Sequence, residues 1–250
     1  MPKHAVKKRT VKKHTVQRSL LLSLGAIVVA GLLMFNIGKV SQGNNSHSSA
    51  PRSAKQIKKD KLAKKVAKIH LTKHEKKVAR NYKLNKLETR TASKTHITAI
   101  GDSVMIDVKP DVKQVFRHSA VSGSVGRQFY SLPGIVRHLK ATGHLSKYIV
   151  VNLGINGPPT QHDINSVLKT VGKDRQIFWI NTRVPRHWQN TTNRMISKNA
   201  KKHSNVHLVN WYKASKGHKG WYASDRVHLD LTGEKYYTRT LAKKVSDVLN

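Results

Sequence analysis

Residues 148–154 read YIVVNLG, and this run decides the fold class. It is short, rich in β-branched residues and followed by the turn-forming INGP, which is the pattern of a buried strand. Further runs of this kind predict strands at residues 96–101, 119–121, 176–182 and 206–211. Because stretches with helical spacing alternate with these runs, the sequence indicates an α/β domain with a parallel sheet.

The predicted helices lie near residues 127–141, 160–171, 188–202 and 232–250. In the last of these, Leu241, Val245 and Leu249 recur at a spacing that places them on one helix face. In an open parallel sheet, ligands bind at the loops that follow the carboxyl ends of the strands. We therefore expect the functional residues in those loops.

Two such loops follow the first pair of predicted strands. Ser103 comes directly after the first strand, where its hydroxyl would stand at the edge of the sheet, although Asp102 and Ser103 are also ordinary helix N-caps. The loop SGSVGRQ at 122–128 contains glycines that would let backbone amides approach a ligand, and it is equally compatible with a flexible loop. It lacks the Gly-Lys-Ser/Thr ending of a P-loop.

Two later segments supply an amide, a carboxylate and an imidazole. Asn156 follows the most hydrophobic strand, where its amide could face a developing oxyanion or simply form a turn with the Gly and Pro after it. Asp225 and His228 are three residues apart just before the last helix. At this spacing the carboxylate can hold one imidazole nitrogen and leave the other facing a nucleophile. With 15 His in the chain, the pair alone is also typical of a surface.

In this order, the four segments resemble the sequence blocks of the SGNH (GDSL-like) hydrolase superfamily over about residues 95–250. Other segments are similar to the extracytoplasmic SGNH domain of Gram-positive peptidoglycan O-acetyltransferases: VGRQ (125–128), LGINGP (153–158), NTRVPRHW (181–188) and NVHLVNWYKAS (205–215). The resemblance implies a three-layer α/β/α sandwich around a parallel, flavodoxin-like sheet.

The resemblance also implies catalytic roles. Ser103 would be the nucleophile, His228 the general base and then the acid, and Asp225 the residue that orients the imidazole. The oxyanion hole would be formed by the Ser103 amide, a loop amide of Gly126 (or Gly123) and the Asn156 side chain. No cofactor and no metal are implied.

Arg183 and Arg186 follow the fourth predicted strand. They are either two surface arginines of a basic protein or, as the similar RVPR segment of the family implies, residues that shape the site and bind the acceptor.

The implied function is acyl transfer to peptidoglycan or another cell-wall glycan through an acyl-Ser103 intermediate. One alternative is an acetyl esterase that acts on cell-wall polymer with the same triad, and a further one is a non-enzymatic basic module that binds the wall. The full-length acetyltransferases join this domain to a many-helix membrane part, whereas this sequence has one apolar segment. We therefore expect a separate membrane protein to deliver the acyl group, if the chain is a transferase.

Residues 19–38 carry no charge and follow the basic segment 1–18. At about 1.5 Å per residue, a helix of this length crosses a hydrocarbon layer of about 30 Å. We expect an uncleaved transmembrane anchor, with a cleaved signal peptide as the alternative. Basic residues are denser before this segment than just after it, which predicts a single-pass cell-membrane protein with a cytoplasmic N-terminus and an extracellular catalytic domain.

Residues 39–94 are predicted to be a linker and basic stalk, in which Leu62, Val66 and Ile69 form a short helical stripe. The stalk is either a solvated, partly disordered segment or a cationic strut held against anionic wall polymer or lipid headgroups. The chain has 48 Lys and Arg against 12 Asp and Glu, a net charge of +36, which favours polyanionic partners. No motif that reads DNA or RNA is present, so no specific nucleic acid is expected. The absence of cysteine excludes disulfides, thiolate catalysis and Cys-ligated zinc.

Overall fold

The computed structural model describes residues 53–250. The predicted cytoplasmic tail (1–18), the transmembrane segment (19–38) and the first part of the stalk lie outside the described residues. Within residues 53–250, no helix combines the length and apolar character that a membrane span requires.

The five strands of the described region form one parallel sheet in the order β2-β1-β3-β4-β5. The strands are β1 (Ile97–Gly101), β2 (Ser119–Gly123), β3 (Tyr148–Asn152), β4 (Gln176–Ile180) and β5 (Val206–Val209). All four neighbouring pairs are parallel. The prediction of a parallel, flavodoxin-like sheet is therefore confirmed.

Ten α-helices and two short 3-10 segments (Phe129–Ser131 and Lys219–Trp221) accompany the sheet in residues 53–250. The helices are α1 (Ala54–Ala67), α2 (Lys73–Tyr82), α3 (Lys86–Lys94), α4 (Ser103–Asp107), α5 (Lys109–Val115), α6 (Leu132–Ala141), α7 (Gln161–Val171), α8 (Gln189–Lys202), α9 (Trp211–Ala214) and α10 (Leu231–Leu249). The four predicted helices correspond to α6, α7, α8 and α10.

Successive strand residues point to opposite faces of the sheet, which builds two hydrophobic layers. On one face Ala99 and Phe178 pack with buried residues of α2 to α5, α9 and α10. On the other, Ile149 and Trp179 pack with α6, α7 and α8. The layers of helix, sheet and helix form the α/β/α sandwich that the resemblance implies.

Helices α2 and α3 lie in the region assigned to the stalk, yet they contribute to the first hydrophobic layer. Val78, Tyr82 and Ala92 are each no more than 2% exposed. By contrast, α1 contains no buried residue. Residues 53–250 fall in one compact unit, so the packed structure begins well before the predicted domain boundary at residue 95.

Glu75 joins α2 to α3. Its carboxylate accepts hydrogen bonds from Arg90 Nε (2.7 Å) and Nη2 (2.9 Å), from Ser93 Oγ (2.6 Å) and from the Thr72 backbone N–H (2.8 Å). Burial alone would raise the pKa of this carboxyl, but the bonds from Arg90, Ser93 and Thr72 outweigh it and lower the pKa to about 2. The charged carboxylate is therefore the form that holds the two helices together.

Candidate active site

Strand β1 lies between β2 and β3 in the sheet: the chain first adds β2 on one side of β1 and then crosses over to add β3 on the other. The carboxyl ends of β1 and β3 therefore flank the point where the strand order reverses. Gly101 and Asn152 are register partners there, and the Asp102 N–H donates to the Asn152 carbonyl at 3.2 Å. Open α/β sheets bind ligands in the crevice at such a switch point. The strand-end segments singled out in the sequence converge on this edge.

Ser103 is the first residue of α4 and is 8% exposed. The Asp102 side chain caps the helix, because its Oδ1 accepts from the Val104 N–H at 3.1 Å. Helix α4 packs tightly on the strand before it: a Cβ at Gly101 would lie 2.5 Å from the Met105 Cβ. The glycine therefore permits the close approach that sets Ser103 at the sheet edge.

Asp102 is completely buried, and its Oδ2 has no hydrogen-bond partner within the described part of the chain. Burial raises the pKa of this carboxyl to about 7, against the opposing effects of the Val104 N–H and the His228 charge. A carboxyl next to Ser103 therefore exchanges its proton near neutral pH.

The glycine loop at 122–128 is held by one guanidinium. Arg127 Nη1 donates to the Gly101 carbonyl (2.9 Å), the Ser122 carbonyl (3.0 Å) and Ser122 Oγ (3.2 Å). Asn156 Nδ2 in turn donates to the Arg127 carbonyl at 3.3 Å. The structure thus brings Asn156 to the loop that contains Gly126, whose φ is +69°.

Asp225 and His228 are in direct contact, with Oδ2 of the carboxylate 2.5 Å from the imidazole Nδ1. The other oxygen, Oδ1, accepts from the backbone N–H groups of Val227 (2.9 Å) and His228 (3.1 Å). Arg226 between them adopts a left-handed conformation with φ +60°, which closes this tight loop. One carboxylate therefore fixes both the backbone of the loop and the orientation of the ring.

These contacts shift both pKa values. The Val227 N–H and the bond from His228 lower the pKa of Asp225. The bond to Asp225 raises the pKa of His228, and the nearby charges of Asp107 and Asp102 act in the same direction against partial burial. The Asp225 and His228 side chains are 47% and 41% exposed, so the pair stands open to solvent.

Helix α4 also contacts the loop that contains His228. Its last residue, Asp107, accepts from the Leu229 N–H at 3.3 Å. Burial raises the pKa of Asp107, while the Leu229 N–H and the His228 charge oppose the shift. Between residues 53 and 250, however, no hydrogen bond joins Ser103 Oγ to the His228 ring. Such bonds are often long in ligand-free sites and tighten when substrate binds.

A cavity of about 610 Å³ borders this loop, with Ala223, Ser224 and Arg226 in its lining. Arg183 also lines this cavity: its Nε donates to Ser215 Oγ at 2.8 Å, and its Nη2 donates to the Tyr212 carbonyl. The guanidinium also lies 4.3 Å from the centre of the Tyr212 ring. Arg183 therefore has a structural role in shaping the wall.

Arg186 is exposed and is not among the residues that line this cavity. The structure thus places the two predicted arginines differently. Within residues 53–250, no group of three or more His, Asp or Glu side chains is placed to hold a metal ion.

No family model matches this chain. The O-acetyltransferase OatA of Staphylococcus aureus (strain NCTC 8325 / PS 47) is 39% identical over 145 residues, which are 58% of this chain and 24% of that protein. The chain thus spans about a quarter of the length of this curated relative.

Solved structures show the same fold. One is the C-terminal catalytic domain of Streptococcus pneumoniae peptidoglycan O-acetyltransferase A (OatA), with a TM-score of 0.57 at 18% identity over 62% of this chain and 94% of that chain. Another is TesA, with a TM-score of 0.52 at 14% identity over 62% of this chain and 99% of that chain. The domain therefore has the fold of the OatA catalytic domain and of TesA, and its sequence is similar to that of the OatA O-acetyltransferases.

Proposed function

We propose that this domain is a serine acyltransferase that places an acetyl group on a hydroxyl of peptidoglycan or another cell-wall glycan. The observation that carries the proposal is the 2.5 Å contact between Asp225 and His228, on a loop that Asp107 ties to the helix beginning with Ser103. The sequence similarity to OatA, of which the Streptococcus pneumoniae protein is a peptidoglycan O-acetyltransferase, supports a cell-wall glycan as the acceptor.

In the first half-reaction, the Asp225 carboxylate holds His228 as the neutral tautomer with its proton on Nδ1. The free Nε2 then takes the proton of Ser103 as Oγ attacks the acyl carbon of the donor. When the tetrahedral intermediate collapses, the donor's leaving group departs with that proton and acetyl-Ser103 remains. General-base assistance of this kind contributes about 10²–10⁴ in rate.

In the second half-reaction, the glycan hydroxyl attacks acetyl-Ser103. His228 takes the proton of the hydroxyl and returns it to Ser103 Oγ as the ester bond to the enzyme breaks. The acetyl group leaves on the sugar, and the free enzyme is restored.

Both tetrahedral intermediates carry an oxyanion. Its proposed donors are the Ser103 N–H at the start of α4, the Gly126 N–H and the Asn156 amide, each worth about 2.7–4 kcal/mol of transition-state stabilisation. Asn156 uses one amide proton on the Arg127 carbonyl, which orients the group and leaves its second proton for the oxyanion.

The cavity of about 610 Å³ that borders residues 222–226, in the loop leading to His228, is the proposed acceptor site. Arg183 shapes its wall, and Lys219 and Arg226 add cationic groups to the lining. For Arg186, which lies outside the lining, contact with the acceptor stays a prediction.

The proposal includes the location of the enzyme. Residues 19–38 would anchor it in the cell membrane as a single-pass protein, with residues 1–18 in the cytoplasm and the catalytic domain outside. A separate membrane protein would supply the acyl group. The basic stalk, including the exposed α1, would contact anionic wall polymer.

Acetyl ester hydrolysis is the second candidate function. The 41% exposure of the His228 side chain favours it, because water can reach the imidazole and compete with the glycan for acetyl-Ser103. The two candidates share all proposed catalytic residues and differ only in the acceptor.

The test uses the full chain in a neutral detergent as wild type, Ser103→Ala and the matched control Ser204→Ala, which alters an exposed serine in the turn before β5. Each protein is incubated with an activated acetyl ester and an N-acetylglucosamine oligomer, and the oligomer mass is followed. We expect acetyl gain in the wild type and Ser204→Ala and at least a hundredfold loss in Ser103→Ala. Ester consumption without sugar product would identify the esterase. Equal turnover in all three proteins would show that Ser103 is not the nucleophile. No turnover in any of the three proteins would support the non-enzymatic wall-binding module.

A further inference from the structure

A second cavity, of about 230 Å³, lies where the end of α2 meets the first half of α10. Thr232, Lys235, Tyr236 and Arg239 line it from α10, where their spacing puts them on one helix face. Asn81 and Lys83 line it from the end of α2. The proposed catalytic residues do not contribute to it.

The lining contains three cations and no carboxylate. Lys83, Lys235 and Arg239 form no ion pair with any residue from 53 to 250. Glu234, which is next to Lys235 in sequence, is instead hydrogen-bonded to Asp111 on α5. Three positive charges therefore line one small cavity without an ion-pair partner among residues 53–250, while the carboxyls of Asp111 and Glu234 lie near Tyr82, which also lines the cavity.

Two of the three cations are held in fixed positions. Lys83 follows α2 in a left-handed conformation (φ 51°, ψ 47°) that is uncommon for a residue with a side chain. Its Nζ donates to the Tyr236 hydroxyl at 3.0 Å, and its carbonyl accepts from Arg239 Nε at 3.2 Å. The site is thus organised before any ligand arrives.

Most of the donors at this site have no partner. Lys235 Nζ, both Nη groups of Arg239, Thr232 Oγ and Asn81 Nδ2 make no hydrogen bond within the described chain. A carboxylate needs only one forked donor, whereas a phosphate group offers several acceptor oxygens to donors that converge from different directions. Phosphate is therefore the anion that matches this set.

The positive charge continues from the cavity along α2. Lys73, Lys76, Lys77 and Arg80 line a further surface cavity at three- and four-residue spacing. A helix of this length measures about 15 Å. A row of separate charges that ends in a phosphate-sized cavity fits a linear polymer with regularly repeated phosphates better than it fits a flat lipid surface.

We propose that the cavity between α2 and α10 binds one phosphate of a phosphodiester-linked polyol polymer, and that the basic row of α2 contacts the following phosphates. This site is independent of the serine chemistry. It would keep the enzyme on phosphate-bearing wall polymer while the sheet edge acts on glycan.

The test uses the full chain in neutral detergent and a soluble polyglycerol phosphate as the probe, with binding measured by calorimetry. Lys83→Gln/Lys235→Gln removes two cations of the cavity, and Lys198→Gln/Lys202→Gln removes the same charge from α8 on the opposite face of the sheet. We expect Kd to rise at least tenfold for the first pair and less than threefold for the second. Lys235→Gln alone, which breaks no hydrogen bond or ion pair within residues 53–250, should weaken binding about threefold or more.

Equal weakening by the two double variants would overturn the proposal, because net charge alone would then explain binding. No binding of the polymer, or stronger binding to vesicles of anionic phospholipid than to the polymer, would overturn it as well. Inorganic phosphate should compete with the polymer at millimolar concentration more effectively than chloride at equal ionic strength, and equal competition would exclude a phosphate site. Ser103→Ala should bind the polymer as the wild type does, so failure of the proposed enzymatic function would leave this result unchanged.

Discussion

Replacing Glu75 by Gln removes the charge that joins α2 to α3 without changing the size of the side chain. The carboxyl has an ordinary pKa of 4.5 and a folded-state pKa of about 2. A difference of roughly 2.5 units at about 1.36 kcal/mol per unit corresponds to about 3 kcal/mol of folding free energy. Because the Arg90 side chain is 30% exposed, solvent screens part of this, and we expect a loss of about 2 kcal/mol at pH 7.

The dependence on pH identifies the cause of this loss. A carboxyl whose folded pKa is lowered stabilises the fold above its unfolded pKa of 4.5, and the stabilisation disappears as pH falls towards about 2. From these two values, the contribution at pH 3.5 is about three fifths of that at pH 7. The difference in free energy of unfolding between wild type and Glu75→Gln should therefore be about two fifths smaller at pH 3.5 than at pH 7.

Urea unfolding of residues 51–250, followed by tryptophan fluorescence at pH 7 and pH 3.5, measures both quantities. Glu88→Gln is the control, because Glu88 caps α3 in the same way but faces Lys243 at the longer distance of 3.4 Å. We expect a smaller loss for the control. A loss of less than about 0.5 kcal/mol in the free energy of unfolding of Glu75→Gln at pH 7 would refute the stabilising role of the Glu75 charge. A difference between wild type and variant that is the same at both pH values would refute it as well.

The remaining predictions concern the sheet edge. The pKa of His228 is raised, and the imidazole must be neutral to act as a base, so kcat/KM for ester turnover should fall as pH drops through a midpoint above 6.5. Asp225→Asn should move that midpoint to lower pH and reduce kcat/KM about 10²-fold or more. Profiles of kcat/KM against pH measure both effects. Asp107→Asn should lower the same midpoint by less, with turnover retained above it, whereas an unshifted midpoint would contradict the charge interaction. Gly154→Ala should lower stability by about 1–3 kcal/mol in thermal unfolding, because its φ is +136° and the new Cβ would lie 2.6 Å from Thr192 Cγ2; an unchanged Tm would show that the backbone relaxes.

The elements predicted best from the sequence are those in which apolar residues follow one another with few interruptions. Strands β3 and β4 are nearly continuous apolar runs and were located to within a few residues. The edge strand β2 (SAVSG) has no fully buried residue and only two apolar side chains, Ala120 and Val121, so the prediction covered three of its five residues. Helix α4 has five residues, which is too short for a helical period to appear.

Helices α2 and α3 were assigned to a stalk because their lysines dominate the composition. The few residues that bury them, such as Val78 and Tyr82, are widely spaced among charged ones. The strand-end loops that carry the candidate site follow from topology and were predicted. Asp107 was not, since its contact with Leu229 joins residues 122 positions apart and has no local signature.

Helix α4 is so short that its two ends contact different parts of the candidate site. Ser103 opens the helix and Asp107, at its other end, holds the loop of His228, so one rigid turn sets the position of both. A substitution that displaces α4 would therefore also disturb the hydrogen bond that Asp107 accepts from the Leu229 N–H. A chimaera that exchanges residues 102–107 without residues 222–230 would lose this bond unless the new helix also ends in a side chain that accepts it.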